Sequence, residues 1–157
     1  MGKNSKETTV MTFEEFLDCV EGDTFREKCQ SICGCLREDP RYDWVGIYWL
    51  KGDELLLGPW SGRQATQHDR IPVSEGICGA AVREARTIIV DDVQKDPRYL
   101  ACFLETRAEI VTPIRKGKKI IGEIDVDGKE VGAFHDEDRK FLEAVAEFIG
   151  EQWPGKW

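Results

Sequence analysis

The stretch DWVGIYWLKGDELLLGPW, Asp43 to Trp60, decides the fold. Trp44 to Leu50 is apolar and rich in β-branched and aromatic residues, Lys51-Gly52-Asp53 carries turn chemistry, and Glu54 to Trp60 is apolar again. This pattern predicts an antiparallel hairpin. Successive side chains of a strand point to opposite faces, so Trp44, Gly46 and Tyr48 share one face. The glycine between two aromatics leaves a gap. That gap is either a ligand slot lined by an indole and a phenol, or a close approach within the core, and spacing alone favours packing.

Around the hairpin the periodicity changes. Thr12-x-x-Glu15 and Thr24-x-x-Glu27 have the pattern of capping boxes. The apolar positions behind them, Phe13, Phe16, Leu17 and Val20, then Phe25, Cys29, Ile32 and Leu36, recur at helical spacing. Ile71 to Val73 and Thr87 to Val90 read as short strands, with a short helix from about Gly76 to Arg86 between them. Asp91 to Arg107 is a long connection, and long connections often carry function. Glu109 to Arg115 and Lys118 to Asp127 form a second hairpin about Lys116-Gly117. Asp136 begins a last helix with Phe141, Leu142, Val145, Phe148 and Ile149 on one face. The expected class is α+β, a single antiparallel sheet with the N- and C-terminal helices packed together on one face. One domain is expected over residues 1–157, with a flexible tail at 1–11, N-terminal helices at 12–39, and the core with its C-terminal helix at 43–152.

Composition narrows the function classes. With 22 Lys and Arg against 30 Asp and Glu the net charge is −8, which repels nucleic acid and anionic membranes. The polar N-terminus lacks a signal-type apolar run and no segment has membrane-spanning length, so a cytoplasmic protein is expected. In that reducing compartment the six cysteines are expected as thiols rather than as a disulfide framework. Cys29 and Cys33 fall on or beside the apolar stripe of their helix and read as core. Together with Cys35 they lack the fourth ligand of a zinc site. Cys19 falls on the polar side of its helix, with no evident partner.

Two features carry chemistry. In IGEIDVDG, Asp125 and Asp127 alternate onto one face near a strand end, where the partner strand begins with Glu109. Like charges held close raise each other's proton affinity, so one acid could stay protonated as a general acid; a solvated strand end or a hard-cation site are the alternatives. Cys78 stands at a helix start, where free amides favour a thiolate, though it reads equally as core filler. Cys102, between Tyr99-Leu100 and Phe103-Leu104, reads equally as filler or as nucleophile.

Taken together, DWVGIYWL, LLLGPW, RIPVSEGICGAAV, YLACF, AEIVTPI, IIGEIDVD and FHDEDRKFL resemble the free methionine-(R)-sulfoxide reductases, single GAF-domain enzymes, in family order from about Asp43 to Gln152. The resemblance implies a GAF-like sheet and thiol-dependent reduction of free L-methionine (R)-sulfoxide. By this likeness Cys102 matches the attacking cysteine and Cys78 a second family cysteine that would close a disulfide with it. Glu109, Asp125 and Asp127 match the carboxylates around the amino acid, with Asp127 a candidate proton donor, and Trp44 and Tyr48 match the aromatic wall. Many members place a further, resolving cysteine just before RIP; here Ala65 to Asp69 reads ATQHD. The family likeness further implies thioredoxin or a similar dithiol reductant, a homodimer through the terminal helices, and no cofactor. The alternative function is a non-catalytic GAF small-ligand or redox sensor.

Overall fold

The computed structural model describes residues 10–101 and 103–157. Helix α1 spans Phe13–Cys19 and α2 Phe25–Leu36; strands β1 and β2 span Trp44–Lys51 and Glu54–Ser61. Strand β3, Arg70–Pro72, precedes α3, Gly76–Glu84; β4, Ile88–Val90, precedes a 3₁₀ turn at Val93–Lys95. Strands β5, Ala108–Lys116, and β6, Lys119–Gly128, lead to α4, Asp136–Gln152. The strands form one six-stranded sheet in the order β3-β2-β1-β6-β5-β4, every neighbouring pair antiparallel. The class expected from sequence, helices around a single antiparallel sheet, is what the chain adopts.

Local signals account for the boundaries. Thr24 and Glu27 complete a reciprocal capping box on α2, and the Thr12 hydroxyl accepts from the Glu15 amide at α1, satisfying free amides of each first turn. The two long hairpins turn through Gly52 and Gly117, at φ 64° and 62°, a conformation glycine adopts without steric cost.

The two sheet faces have different partners. Val45, Ile47, Trp49, Ile110, Ile124 and Val126 point to the face covered by α1, α2 and α4, and with Phe16, Ile32, Leu36, Leu142, Val145 and Ile149 they form the larger core. Val10 and Met11, assigned to the tail by sequence, pack against this cluster; the rest of that tail lies outside the described residues. Trp44, Tyr48, Leu55, Ile71, Val90 and Val111 point the other way, onto α3. No helix of the described residues is long and apolar enough to cross a membrane.

A buried ionic network ties α4 to the entrance of β1. The fully buried Asp138 accepts from the Tyr42 hydroxyl at 2.7 Å, from Arg41 at 2.9 and 2.8 Å, and from the His135 amide at 2.8 Å. The segment that delivers Trp44 is thereby pinned.

The Cys19–Cys35 pair overturns two expectations, that Cys19 lacks a partner and that all six cysteines are thiols. Cys19, thought to lack a partner, is bridged to Cys35, with Cα atoms 6.0 Å apart. The last residue of α1 meets the last turn of α2, a spacing a disulfide spans; a face assigned by helical periodicity says nothing about a helix end. Cys29 and Cys33 are buried free thiols in the larger core, as their spacing indicated.

Candidate active site

Sheet register assembles the acids. Strand β6 lies between β1 and β5, so each of its α3-facing residues has two cross-strand neighbours. Asp127 pairs with Trp44 and Glu109, Asp125 with Gly46 and Val111, and Glu123 with Tyr48 and Pro113. Side chains of directly paired strand residues are close neighbours on one face. The structure therefore brings together Trp44, Tyr48, Glu109, Asp125 and Asp127, all five buried. Cys102 lies outside the described residues.

Glu123 is the member that sequence reading missed. It continues the same alternation two positions before Asp125, and it is 0% exposed. Among the described residues neither of its carboxylate oxygens has a hydrogen-bond partner of good geometry, nor do Oδ1 of Asp125 and Oδ1 of Asp127. Burial disfavours the charged form of each of these acids. The carboxyls of Glu123 and Asp127 are pushed well above the usual range and that of Asp125 is raised, in each case chiefly by loss of water. Repulsion from Asp125 adds to the shift of the first two.

Helix α3 supplies the thiol from above. Cys78 is in its first turn, as expected, and its Sγ lies within 4.8 Å of carboxylate oxygens of both Glu109 and Asp125. The expected thiolate does not follow. Loss of water is the largest influence, Asp125, Glu123 and Glu109 add like charge, and the thiol is held well above its ordinary pKa. A helix end contributes only a fraction of a charge, too little against burial among three carboxyl groups.

Trp44 fills the gap left by Gly46. A Cβ on Gly46 would stand 2.2 Å from Cη2 of the indole, so the slot inferred from WVGIY is occupied by the neighbouring side chain, the packing alternative. A Cβ on Gly62 would lie 2.1 Å from Cδ1, so the ring is flanked by two glycines. It stacks on Trp60 at 6.3 Å, tilts against Phe103 at 5.7 Å, and donates from Nε1 to the Gln64 carbonyl at 3.2 Å.

The ATQHD loop closes over this wall. The Tyr48 hydroxyl donates to the His68 carbonyl at 2.8 Å, and the His68 ring donates from Nε2 to the Ala101 carbonyl at 3.0 Å. Arg63 bridges Asp43 and Glu105, and Lys129 contacts the same two acids. A cleft of about 240 Å³ between these groups, lined by Trp44, Gln64 and Phe103, opens beside the indole. A larger cleft of about 640 Å³, between α4 and β5, is lined by Thr87, Arg115 and Glu143 and, among the described residues, by no thiol. The chemistry therefore concentrates at the α3 face.

Known proteins resemble this chain over most of its length. The family model for the GAF domain matches residues 24–153. The chain is 34% identical to GAF domain-containing protein A of Dictyostelium discoideum over 155 residues, covering 95% of each chain. It is 39% identical to the free methionine-R-sulfoxide reductase of Saccharomyces cerevisiae over 113 residues, 69% of this chain and 62% of the yeast protein. Among solved structures, the type II free methionine-R-sulfoxide reductase of Thermoplasma acidophilum superposes with a TM-score of 0.79 at 38% identity, covering 82% of this chain and 91% of that one.

Proposed function

The chain belongs to the GAF domain family, and from that premise we propose that it reduces free L-methionine (R)-sulfoxide to L-methionine with thiol electrons. The observation that carries this reading is the juxtaposition of Cys78 with Glu109 and Asp125 beneath a tryptophan wall, in a chain whose relatives include enzymes named for that reaction.

In the proposed reaction Cys102 attacks the sulfoxide sulfur as a thiolate. A buried acid, Asp127, Asp125 or Glu109, delivers a proton to the sulfoxide oxygen. Burial suits this cluster to the role, because a carboxyl kept protonated is one that can donate. The protonated oxygen passes from the methionine sulfur to the Cys102 sulfur, the sulfur–sulfur bond made in the attack breaks with its electron pair on the methionine sulfur, and methionine departs, leaving Cys102 as a sulfenic acid. Cys78 then displaces that oxygen as water, its own proton leaving with it, and a Cys78–Cys102 disulfide forms. Thioredoxin or a similar dithiol returns both sulfurs to thiols.

The remaining carboxylates hold the ammonium of the amino acid by charge-assisted hydrogen bonds, while Trp44 and Tyr48 wall the apolar part. A methionine within a polypeptide has an uncharged amide in place of that ammonium, so the acid cluster selects the free amino acid. As further parts of the same proposal, the enzyme works in the cytoplasm as a homodimer joined through its terminal helices.

The deciding assay supplies free methionine (R)-sulfoxide with dithiothreitol, then with thioredoxin, its reductase and NADPH. Wild-type turnover with dithiothreitol that Cys102→Ser abolishes is the expected result. A wild-type rate no greater than that of Cys102→Ser overturns the proposal and leaves a small-ligand or redox sensor. Cys78→Ser should keep a single turnover and lose thioredoxin-driven cycling.

A further inference from the structure

The acid cluster has a property that sulfoxide reduction does not use. Cys78 Sγ and carboxylate oxygens of Glu109 and Asp125 all lie within 4.8 Å of one another, each residue buried. Glu123 faces the same thiol, fully buried and with neither oxygen in a hydrogen bond of good geometry among the described residues. The charged groups acting on Cys78, Glu123 and Asp125 are acids, with no lysine, arginine or histidine among them. A buried thiol packed among carboxyl groups has two ways to balance its charge, by holding protons or by taking up a cation.

We infer that Cys78, Glu109 and Asp125 form a binding site for a borderline-soft divalent cation of the Zn²⁺ class. One sulfur and two oxygens are a donor set zinc accepts, with roughly 2.3 Å to sulfur and 2.0 to 2.2 Å to oxygen. Donor atoms around one such ion stand roughly 3.5 Å apart, so the side chains close in by about an ångström or less. The oxygens of Glu123 and Oδ1 of Asp125, in no hydrogen bond of good geometry among the described residues, supply a fourth donor or accept its hydrogen bonds. The thiol discriminates against Ca²⁺ and Mg²⁺, which take oxygen ligands. On binding, the Cys78 proton is released to solvent and a sulfur–metal bond replaces the S–H bond; no electron is transferred.

The site coincides with the place assigned above to the substrate ammonium and engages the thiol assigned to resolution. A bound ion therefore competes with methionine sulfoxide and keeps Cys78 out of disulfide exchange. This consequence, unlike the binding itself, rests on the proposed reductase activity.

The experiment titrates Co²⁺ and then Zn²⁺ into the thiol form of the full chain under argon. It reads the near-ultraviolet thiolate-to-cobalt absorption, heat by calorimetry, and competition against a chromophoric chelator. One equivalent should bind with the thiolate band present; Cys78→Ser should abolish the band, Asp125→Asn and Glu109→Gln should each weaken affinity at least tenfold, and Cys29→Ala/Cys33→Ala should retain both. Circular dichroism checks that each variant is folded, and free methionine sulfoxide should displace cobalt from the unaltered protein, a readout that needs no variant. Binding unchanged in Cys78→Ser and Asp125→Asn, binding lost only in Cys29→Ala/Cys33→Ala, or absence of a thiolate band overturns the site. Zinc binding without sulfoxide reduction defeats the reductase reading alone; reduction insensitive to zinc, with no binding, defeats this inference alone.

Discussion

Replacing Gly46 by alanine tests whether the indole of Trp44 is held by the sheet beneath it. The new Cβ would sit 2.2 Å from Cη2 and 2.5 Å from Cζ3, whereas ordinary contact begins at about 3.4 Å. Gly46 lies in β1, bonded to β2 on one side and β6 on the other, so the ring, not the strand, yields by more than an ångström. Misplacing a substrate-positioning group by about 1 Å can cost on the order of 100-fold in rate, roughly 2.7 kcal/mol of transition-state stabilisation. The overpacking itself costs about 1 to 3 kcal/mol of folding stability. Initial rates with free methionine (R)-sulfoxide give kcat/KM, and urea unfolding gives the second figure. Phenylalanine lacks the two atoms that collide, so Gly46→Ala should cost far less in a Trp44→Phe background. A single variant within about threefold of wild type in kcat/KM, or a cost unchanged by Trp44→Phe, would refute the clamp.

Two further substitutions probe the scaffold. Asp138→Asn leaves the Arg41 guanidinium facing an amide inside a network that includes Tyr42; breaking a buried pair on one side costs about 3 to 5 kcal/mol, read from urea denaturation, and a loss below about 1 kcal/mol would mean the network is dispensable. Reduction of the Cys19–Cys35 bridge, which closes a segment of sequence separation 16, should lower stability by about 3 kcal/mol and Tm with it. The sulfoxide reductase rate of Cys19→Ser/Cys35→Ser should stay within about twofold of wild type, because the bridge lies on the helical side of the sheet; equal midpoints for the bridged and reduced forms would count against it.

Alternation carried most of what sequence could reveal. In WVGIYWL and IGEIDVD a period of two separates the residues of the helical core from those of the α3 face, and the structure keeps that division. The register between strands is not written in either segment alone, which is why Glu123 went unrecognised: its significance comes from standing opposite Tyr48 and facing Cys78. The protonation of Cys78 was misread for a related reason. A helix start is visible in sequence, but the carboxyls packed against it come from β5 and β6, some 30 to 50 residues further along the chain. The roof over Trp44 and Tyr48 was equally hidden, since it depends on the backbone carbonyls of Gln64 and His68 respectively, whose positions no side-chain pattern encodes. The disulfide joins two helix ends that the sequence places in separate periodic segments.

Strand β6 divides its labour by parity. Ile124 and Val126 belong to the helical core, while Glu123, Asp125 and Asp127 belong to the acid cluster. An insertion or deletion of one residue there would exchange the two sets, presenting carboxyls to the phenylalanines and isoleucines to the thiol. Point substitutions behave in the opposite way, because changes on one side of the sheet share few partners with changes on the other, and their effects should add. The strand thus offers two nearly independent alphabets: one set of positions can be rewritten for thermal endurance, and the interleaved set for a different ligand, with little crosstalk between the two.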